Sequence, residues 1–464
     1  MVGFHLGVVD PEGFLPLVLK LGGNTMALYT KEEALTYHST FPQGKCTVIP
    51  TKPYFTQKHL TMAYSPGVAE ACRAIAANPE DVFKYTNKGN LVAVVSNGTA
   101  ILGLGNLGPA AAKPVMEGKG LLFKIFADID VYDLSLDCKD PDKLIEIVQA
   151  LEPTFGGINL EDIKAPECFK IEETCKKTMN IPVFHDDQHG TAIISGAGLL
   201  NALEISGKKA ADMRVVVSGA GAAGIACCKF YVSLGIPLEN IAMFDSKGHI
   251  HAGRTDLNEQ KRDFATKKKY GSLADAFKGC DMFLGLSQPN IVNADMVKSM
   301  GKNPIMFAMA NPDPEITYAD AKAARPDLMM GTGRSDFPNQ VNNVSGFPYI
   351  FRGALDCGSV QITEGMKKAA SKAIADLAKL PVPQEICDAY GVKSLSFGPD
   401  YILPKALDAR LMEVEPVAVA RAAMEEGTAT KKLDLAQYAK NLKKRLADSR
   451  AQMNEFIKAY NFNL

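Results

Sequence analysis

The residues of this chain best placed to do chemistry are acids and glycines that follow apolar runs. Three acidic clusters stand out: Asp128/Asp130 after Leu121–Phe126, Glu161-Asp162 after Thr154–Leu160, and Asp186-Asp187 after Ile181–Phe184. Read as strands, those runs put the acids at carboxyl ends, where open α/β folds gather ligands. Oxygen-only donors suit Mg²⁺ or Mn²⁺. An isolated acidic pair is more often a solvated turn or a helix cap, so spacing alone leaves the metal open. His185-Asp-Asp-Gln-His189 has the outline of a zinc-protease helix. It fails that test, because HExxH needs both histidines on one helical face, and here helix is expected only from about Thr191.

Two GxGxxG turns are present, Gly103-Leu-Gly-Asn-Leu-Gly108 and Gly219-Ala-Gly-Ala-Ala-Gly224. A dinucleotide cradle needs a strand, a tight turn and a helix whose N-terminus meets the pyrophosphate. The second turn meets every condition: Val215–Val217 precede it, Ala222 and Ala223 open a helix, and Asp245 ends the next strand 21 residues after Gly224. Gly219, Gly221, Ala222, Ala223, Gly224 and Asp245 are therefore the expected cofactor contacts. The first turn is followed at once by Pro109 and Pro114 and reads as a close-packed turn near the site. Asp245 favours NAD by the ribose rule, while Lys247, Lys208 and Lys209 are candidates for a 2′-phosphate, so NAD or NADP stays open.

The elements that must position these residues alternate in type. Leu91–Val95, Arg214–Ser218, Ile241–Phe244, Asp281–Leu286 and Ile305–Ala308 read as strands. Val68–Ala77, Asp142–Leu151, Thr191–Ser206, Ala222–Leu234 and Glu364–Leu380 read as helices. Such alternation predicts α/β architecture with parallel sheets covered on both faces. The expected division is an extension over 1–30, a catalytic domain over 31–190, a Rossmann-type doubly wound domain over 191–380 and a C-terminal helical segment over 381–464. A basic amphipathic helix from Leu435 carries eight Lys or Arg against three acids between Lys431 and Leu464, and docking on the body or on a partner subunit explains it better than a membrane or nucleic acid does.

The 464 residues carry 51 Lys+Arg and 52 Asp+Glu, a formal charge of -1, which argues against a broad positive field for nucleic acid. No run of about 18 apolar residues suggests a membrane span. The stretch Phe14–Leu21 is interrupted by Lys20 and lacks the look of a secretory signal. Ten scattered cysteines without a CxxC pair read as reduced thiols in a cytoplasmic setting.

Five motifs occur in order: Tyr64-Ser-Pro-Gly-Val-Ala, Ile101-Leu-Gly-Leu-Gly-Asn-Leu-Gly108, Pro114-Val-Met-Glu-Gly-Lys119, Gly157-Ile-Asn-Leu-Glu-Asp162 and Phe184-His-Asp-Asp-Gln-His-Gly-Thr191. With Asn311-Pro312 and Asn342-Asn343, the chain resembles the malic enzymes, in their short bacterial-type form, from about Glu33 to Pro381. The resemblance implies oxidative decarboxylation of (S)-malate to pyruvate and CO2 with reduction of NAD(P)+ and a Mg²⁺ or Mn²⁺ requirement. It further implies a homodimer.

By the same resemblance Lys119 is the base for the C2 hydroxyl, paired with Asp186, and burial beside a cation would lower its pKa. Glu161, Asp162 and Asp187 match the metal ligands, and Tyr64 matches the acid that protonates the enol at C3. Asn311 and Asn343 match amide donors to substrate, the former also to cofactor. Where large animal-type members carry an Arg before Ile-Leu-Gly-Leu-Gly, this chain has Ala100. Arg73 and Arg334 are the candidates to grip the substrate carboxylate in its place.

Overall fold

The computed structural model describes residues 29–101, 104–311 and 313–460. The expected extension, apart from Tyr29 and Thr30, lies outside the described residues, as do Phe14–Leu21, Leu102 and Gly103 of the first glycine turn, and Pro312.

Helices α1 (Lys31–Ser39), α2 (Gln57–Ala63), α3 (Val68–Ala77) and α4 (Val82–Tyr85) form an N-terminal arm. Then β1 (Leu91–Ser96), α5 (Pro109–Ala127), β2 (Asp130–Ser135), α6 (Pro141–Ala150), β3 (Gly157–Leu160), α7 (Glu167–Thr178) and β4 (Val183–His185) build a four-stranded parallel sheet in the order β2-β1-β3-β4. Helix α8 (Asp186–Ser206) leads to a second sheet.

That sheet holds β5 (Val215–Ser218), β6 (Ile241–Asp245), β7 (Gly248–His249), β8 (Met282–Gly285), β9 (Ile305–Ala308), β10 (Met329–Thr332) and β11 (Asn339–Gln340), ordered β11-β10-β9-β8-β5-β6-β7. All its pairings are parallel except β6 with β7. The chain winds outward from β5 in both directions, so the crevice between β5 and β8 is the topological switch point of a doubly wound sheet. Its helices are α9 (Ala222–Ser233), α10 (Glu259–Arg262), α11 (Leu273–Phe277), α12 (Ala294–Lys298) and α13 (Tyr318–Ala324). The chain closes with α14 (Phe347–Asp356), α15 (Glu364–Leu377), α16 (Gln384–Ala389), α17 (Leu411–Glu425) and α18 (Leu435–Lys458).

One apolar core runs through both sheets. Val92, Phe123 and Phe184 from the first pack in the same cluster as Val215 and Phe307 from the second, with Phe347 and Phe351 of α14 between them. Phe123 meets Phe347 and Phe351 edge-on at 4.7 and 5.4 Å, and Phe184 meets Phe351 at 5.7 Å. Such a ring pair adds about 0.5–1.5 kcal/mol beyond the area it buries. Tyr438, Leu442 and Leu446 of α18 join this core, so the basic amphipathic helix docks on the body as expected. Among the described residues no helix is long and apolar enough to cross a membrane.

Three expected elements differ. Leu121–Phe126 is the end of α5, not a strand: Phe123 and Phe126 are buried at a helical spacing of three. The first sheet's edge strand is instead β2, whose polar Asp130-Val-Tyr-Asp sequence hid it. Helix α8 starts at Asp186 rather than near Thr191. Asp186 and Asp187 thus occupy the first turn of a helix, where negative charge is favoured.

Candidate active site

The carboxyl ends of β3 and β4, adjacent in the first sheet, deliver Glu161-Asp162 and Asp186-Asp187 side by side. Glu161, Asp162 and Asp187 each turn a carboxylate oxygen to within 4.8 Å of the others. Asp162 adopts φ +53, and its backbone N–H donates to Asp187 Oδ2 at 2.8 Å, which locks the two strand ends together. Asn159 Nδ2 donates to Glu161 Oε2 at 2.9 Å.

Lys119 reaches this cluster from α5 and is 7% exposed. Its Nζ lies 2.6 Å from Asp186 Oδ2 and 3.0 Å from Glu161 Oε1, with the Phe347 ring centroid 4.3 Å away. Burial acts to lower the lysine's pKa, but Asp186 and Glu161 outweigh it and hold the ammonium charged. The expectation of a lowered pKa assumed a cation beside the lysine; the chain's own groups act the other way, two facing carboxylates outweighing burial. Burial pushes Glu161 well up, against Lys119 and with the crowding of Asp187, Asp186 and Asp162. Four carboxylates thus face one lysine. A cluster of oxygen donors with that excess of negative charge fits a hard divalent cation. None of its members is a histidine. The two histidines take different partners: His185 Nδ1 lies 3.8 Å from Asp187 Oδ2, and His189 Nε2 lies 2.8 Å from Glu172 Oε1.

Asp186 is fully buried and raised in pKa by that burial against Lys119. Asn343 donates its side-chain amide to the same Oδ2 that holds the lysine. Gly190 is required beneath them, because a Cβ there would collide with Asp186 Oδ1. Asp128 and Asp130 take no part: Asp128 caps α5 and pairs with Lys124 and Arg445, and Asp130 opens β2 at the sheet's other end.

The second glycine turn lies at the switch point. Gly219 has φ +113 and packs on the Leu286 carbonyl, where a Cβ would not fit, and Gly224 packs equally closely on the Gly219 carbonyl. Around Gly221 there is open space at the N-terminus of α9, whose first residues are Ala222 and Ala223. Asp245 ends β6 as expected, but both its oxygens are engaged. Arg254 donates at 2.8 and 3.1 Å, Lys261 at 2.9 Å and the Lys247 backbone at 2.9 Å. Burial opposes these contacts and loses, leaving the carboxylate's pKa lowered to about 2. Lys247 Nζ pairs with Asp256 at 2.9 Å. Lys208 pairs instead with Asp281, just before β8. That is the amino end of the sheet, so it is no candidate for the coenzyme phosphate. Asn311 follows β9 and abuts Gly333 beyond β10, with Arg334 next to it.

Tyr64 is not brought to this site. It follows α2, is 79% exposed, and belongs to an arm whose helices α1, α2 and α3 bury no residue. Arg73 lies on the same arm, paired with Glu70.

Several positioning residues carry no motif and escaped sequence reading. Glu172, fully buried, accepts from the His185 N–H at 3.1 Å and from Gln188 at 3.2 Å, bracing the turn that bears Asp186 and Asp187. Glu315 accepts from the N–H groups of Ser287 and Ala310 at 3.0 and 3.2 Å, tying the loop after β8 to the one before Asn311. Its signal was only an acid two residues after Asp313.

Residues 43–176 match the model of the malic enzyme N-terminal domain and residues 188–387 that of the malic enzyme NAD binding domain. An NADP-dependent malic enzyme of Escherichia coli is 56% identical over 86% of this chain, which covers 53% of that protein. One from Halomonas elongata is 54% identical over 86% of this chain and 94% of its own length. The chain therefore spans about half the length of some curated relatives and nearly all of another. The crystal structure of malic enzyme from Pyrococcus horikoshii superposes with a TM-score of 0.83 at 39% identity, covering 92% of this chain and 98% of that one.

Proposed function

The chain belongs to the malic enzyme family, and on that premise we propose that it converts (S)-malate and NADP+ to pyruvate, CO2 and NADPH. The observation that carries this reading is the Lys119 ammonium held between Asp186 and Glu161 beside three converging carboxylates. Glu161, Asp162 and Asp187 would hold Mg²⁺ or Mn²⁺. When bound, such an ion supplies Lewis-acid polarisation of the substrate oxygens.

Lys119 takes the C2 hydroxyl proton as the C2 hydride passes to the nicotinamide. The lysine must be neutral to do so. Glu161 and Asp186 both oppose that, so its basicity depends on Glu161's charge being engaged elsewhere, with Asp186 left to orient Nζ. Asn343 fixes Asp186 in turn. After loss of CO2 the enol carbon at C3 needs a proton, which Tyr64 supplies by the family resemblance. Asn311, at the strand ends of the second sheet, offers its amide to the substrate carboxylate and the nicotinamide amide, whereas the Arg334 guanidinium beyond β10 is already held by Asp336 at 2.9 and 2.8 Å.

The choice of NADP rests on the end of β6. Arg254, Lys261 and Lys247 surround Asp245 and Asp256, leaving one positive charge in excess where the ribose 2′ position falls in doubly wound folds. A carboxylate already engaged by two cations neither repels a 2′-phosphate nor is free for a hydroxyl.

The working unit we propose is a homodimer in which Tyr64 enters the partner's site. What supports this is the arm itself: Tyr54, Phe55, Leu60, Met62 and Tyr64 stand more than half exposed. Exposed large apolar side chains gathered on one arm are what a second copy would cover. All ten cysteines are free, which suits a reducing, cytoplasmic compartment.

The test is absorbance at 340 nm with (S)-malate and Mn²⁺, using NADP+ and NAD+ separately, with and without EDTA. A metal-dependent rise with equal pyruvate is expected, faster with NADP+. A rise indifferent to EDTA would assign the chain to metal-free dehydrogenation.

A further inference from the structure

A line of polar side chains runs from α15 to the turn that carries Asp186 and Asp187. It starts at Glu364, whose carboxylate pairs with the Lys367 ammonium. Lys367 is 2% exposed, and its Nζ lies 3.1 Å from His189 Nδ1. His189 Nε2 lies 2.8 and 2.9 Å from the two oxygens of buried Glu172. Glu172 in turn accepts from the His185 N–H and the Gln188 amide. We propose that Lys367 and His189 are positioning residues for the divalent cation: acting through Glu172, they fix the turn from His185 to Gln188 and so set where Asp187 stands relative to Glu161 and Asp162. The proposal rests on the reading of those three acids as the ion's ligands.

The donor inventory settles the direction of each bond. An ammonium only donates, so His189 Nδ1 accepts from Lys367. The ring's other nitrogen then carries the hydrogen and donates to Glu172, whose two oxygens already accept from His185 and Gln188. His189 is thus a neutral bridge in one tautomer between a buried cation and a buried anion. Its ring is also packed on Phe184 of β4, with centroids 5.4 Å apart.

Each member of the bridge stands on a different element: Lys367 on α15, His189 on α8 and Glu172 on α7. One turn after Lys367, Ser371 donates to the Ile193 carbonyl at 3.0 Å, which pins α15 to α8 a turn beyond His189. The far end of the bridge is a clamp. His185 is the residue before Asp186 and Gln188 the residue after Asp187, so Glu172 holds the two acids from both sides. Helix α15 supplies no ligand of its own, yet it anchors the support of one. Hydrogen-bonded supports of this kind orient a ligand, and their loss typically weakens metal binding about 10–100-fold.

The experiment is titration of Mn²⁺ into the whole protein, followed by the electron paramagnetic resonance signal of the free ion. It compares wild type with His189→Gln, His189→Leu and Lys367→Met, each checked for folding by circular dichroism. Gln offers an oxygen to Lys367 and an N–H to Glu172, so His189→Gln is expected to bind within about threefold of wild type, less than the worth of a typical hydrogen bond. His189→Leu breaks both bonds and is expected to weaken binding about tenfold or more. Lys367→Met removes only the distal donor, and a loss of about threefold or more is expected, the low end of a hydrogen bond's worth. A role confined to stability would lower the melting temperature and leave the affinity of the folded protein unchanged. Wild-type affinity in folded His189→Leu or folded Lys367→Met therefore overturns the proposal. An equal loss in His189→Gln and His189→Leu overturns it too, because packing rather than the two bonds would then set the site. Where His189→Leu does not fold, Lys367→Met decides alone. Absence of saturable Mn²⁺ binding by the wild type overturns the ion site itself, and the bridge falls with it.

Discussion

The ring of Phe347 lies 4.3 Å from the Lys119 ammonium, so an aromatic face from α14 completes a cage whose other walls are Asp186 and Glu161. All three favour the charged lysine, the ring by about 0.5–2 kcal/mol. Phe347→Leu keeps the bulk and removes the quadrupole. The acid limb of the pH profile of kcat/KM for malate should move down by roughly half a unit or more. An unmoved limb would mean that the ring only packs.

Lys119→Ala should lower kcat by about a thousandfold or more, as expected for loss of a general base. NADP+ binding, followed by fluorescence titration, should stay within about twofold of wild type. The lysine touches no element of the glycine turn.

Co-expression tests the arm. Lys119→Ala and Tyr64→Phe chains are each expected to be nearly inactive. If Tyr64 serves the partner's site, a mixed dimer contains one intact site and one doubly defective site. Random pairing then restores about a quarter of wild-type activity per chain. A site made wholly within one chain gives no recovery.

The end of β6 sets a coenzyme prediction. Lys261→Gln removes one of the two cations on Asp245 and should raise the KM for NADP+ about tenfold or more, the worth of one charged contact, while NAD+ changes little. Steady-state kinetics with both coenzymes decides this. Equal losses would place Lys261 in structural support of β6.

His249 offers a pH test that is independent of catalysis. Burial first, and then His251 and Arg254, hold its imidazole down at about 4, below the ordinary 6.5. The fold thus binds fewer protons than the unfolded chain between those values. The contribution is complete above about pH 6.5 and is lost as pH falls toward 4, with a slope of at most about 1.4 kcal/mol per unit. Urea denaturation from pH 7 to 4 should show a shallower slope for His249→Gln.

Much of the site was legible because its acids and glycines sit at strand ends, where topology alone assigns them. Strands β5, β6, β8 and β9 are short apolar runs bounded by polar residues, and their limits in the structure shift by a residue at most from the sequence reading. Leu121–Phe126 misled because a buried apolar run does not declare its period. The strand β2 was invisible because an edge strand can be half polar. Glu315, Glu172 and Phe347 act through contacts with residues remote in sequence, and no local pattern announces those. The exposure of Tyr64 belongs to the same class: a motif names the residue but does not say where the fold carries it.

Helix α8 runs unbroken for 21 residues from Asp186 to Ser206, a rod of about 30 Å. It carries the two acids at one end and ends at Gly207, with φ +67 and open space about its Cα, at the other. A rod transmits rotation rather than absorbing it. Gly196 and Gly198 let Phe230 of α9 and Phe307 of β9 close directly on this rod, so the coenzyme half is built along its length and the acids at its first turn are held in register with the second sheet as well as the first.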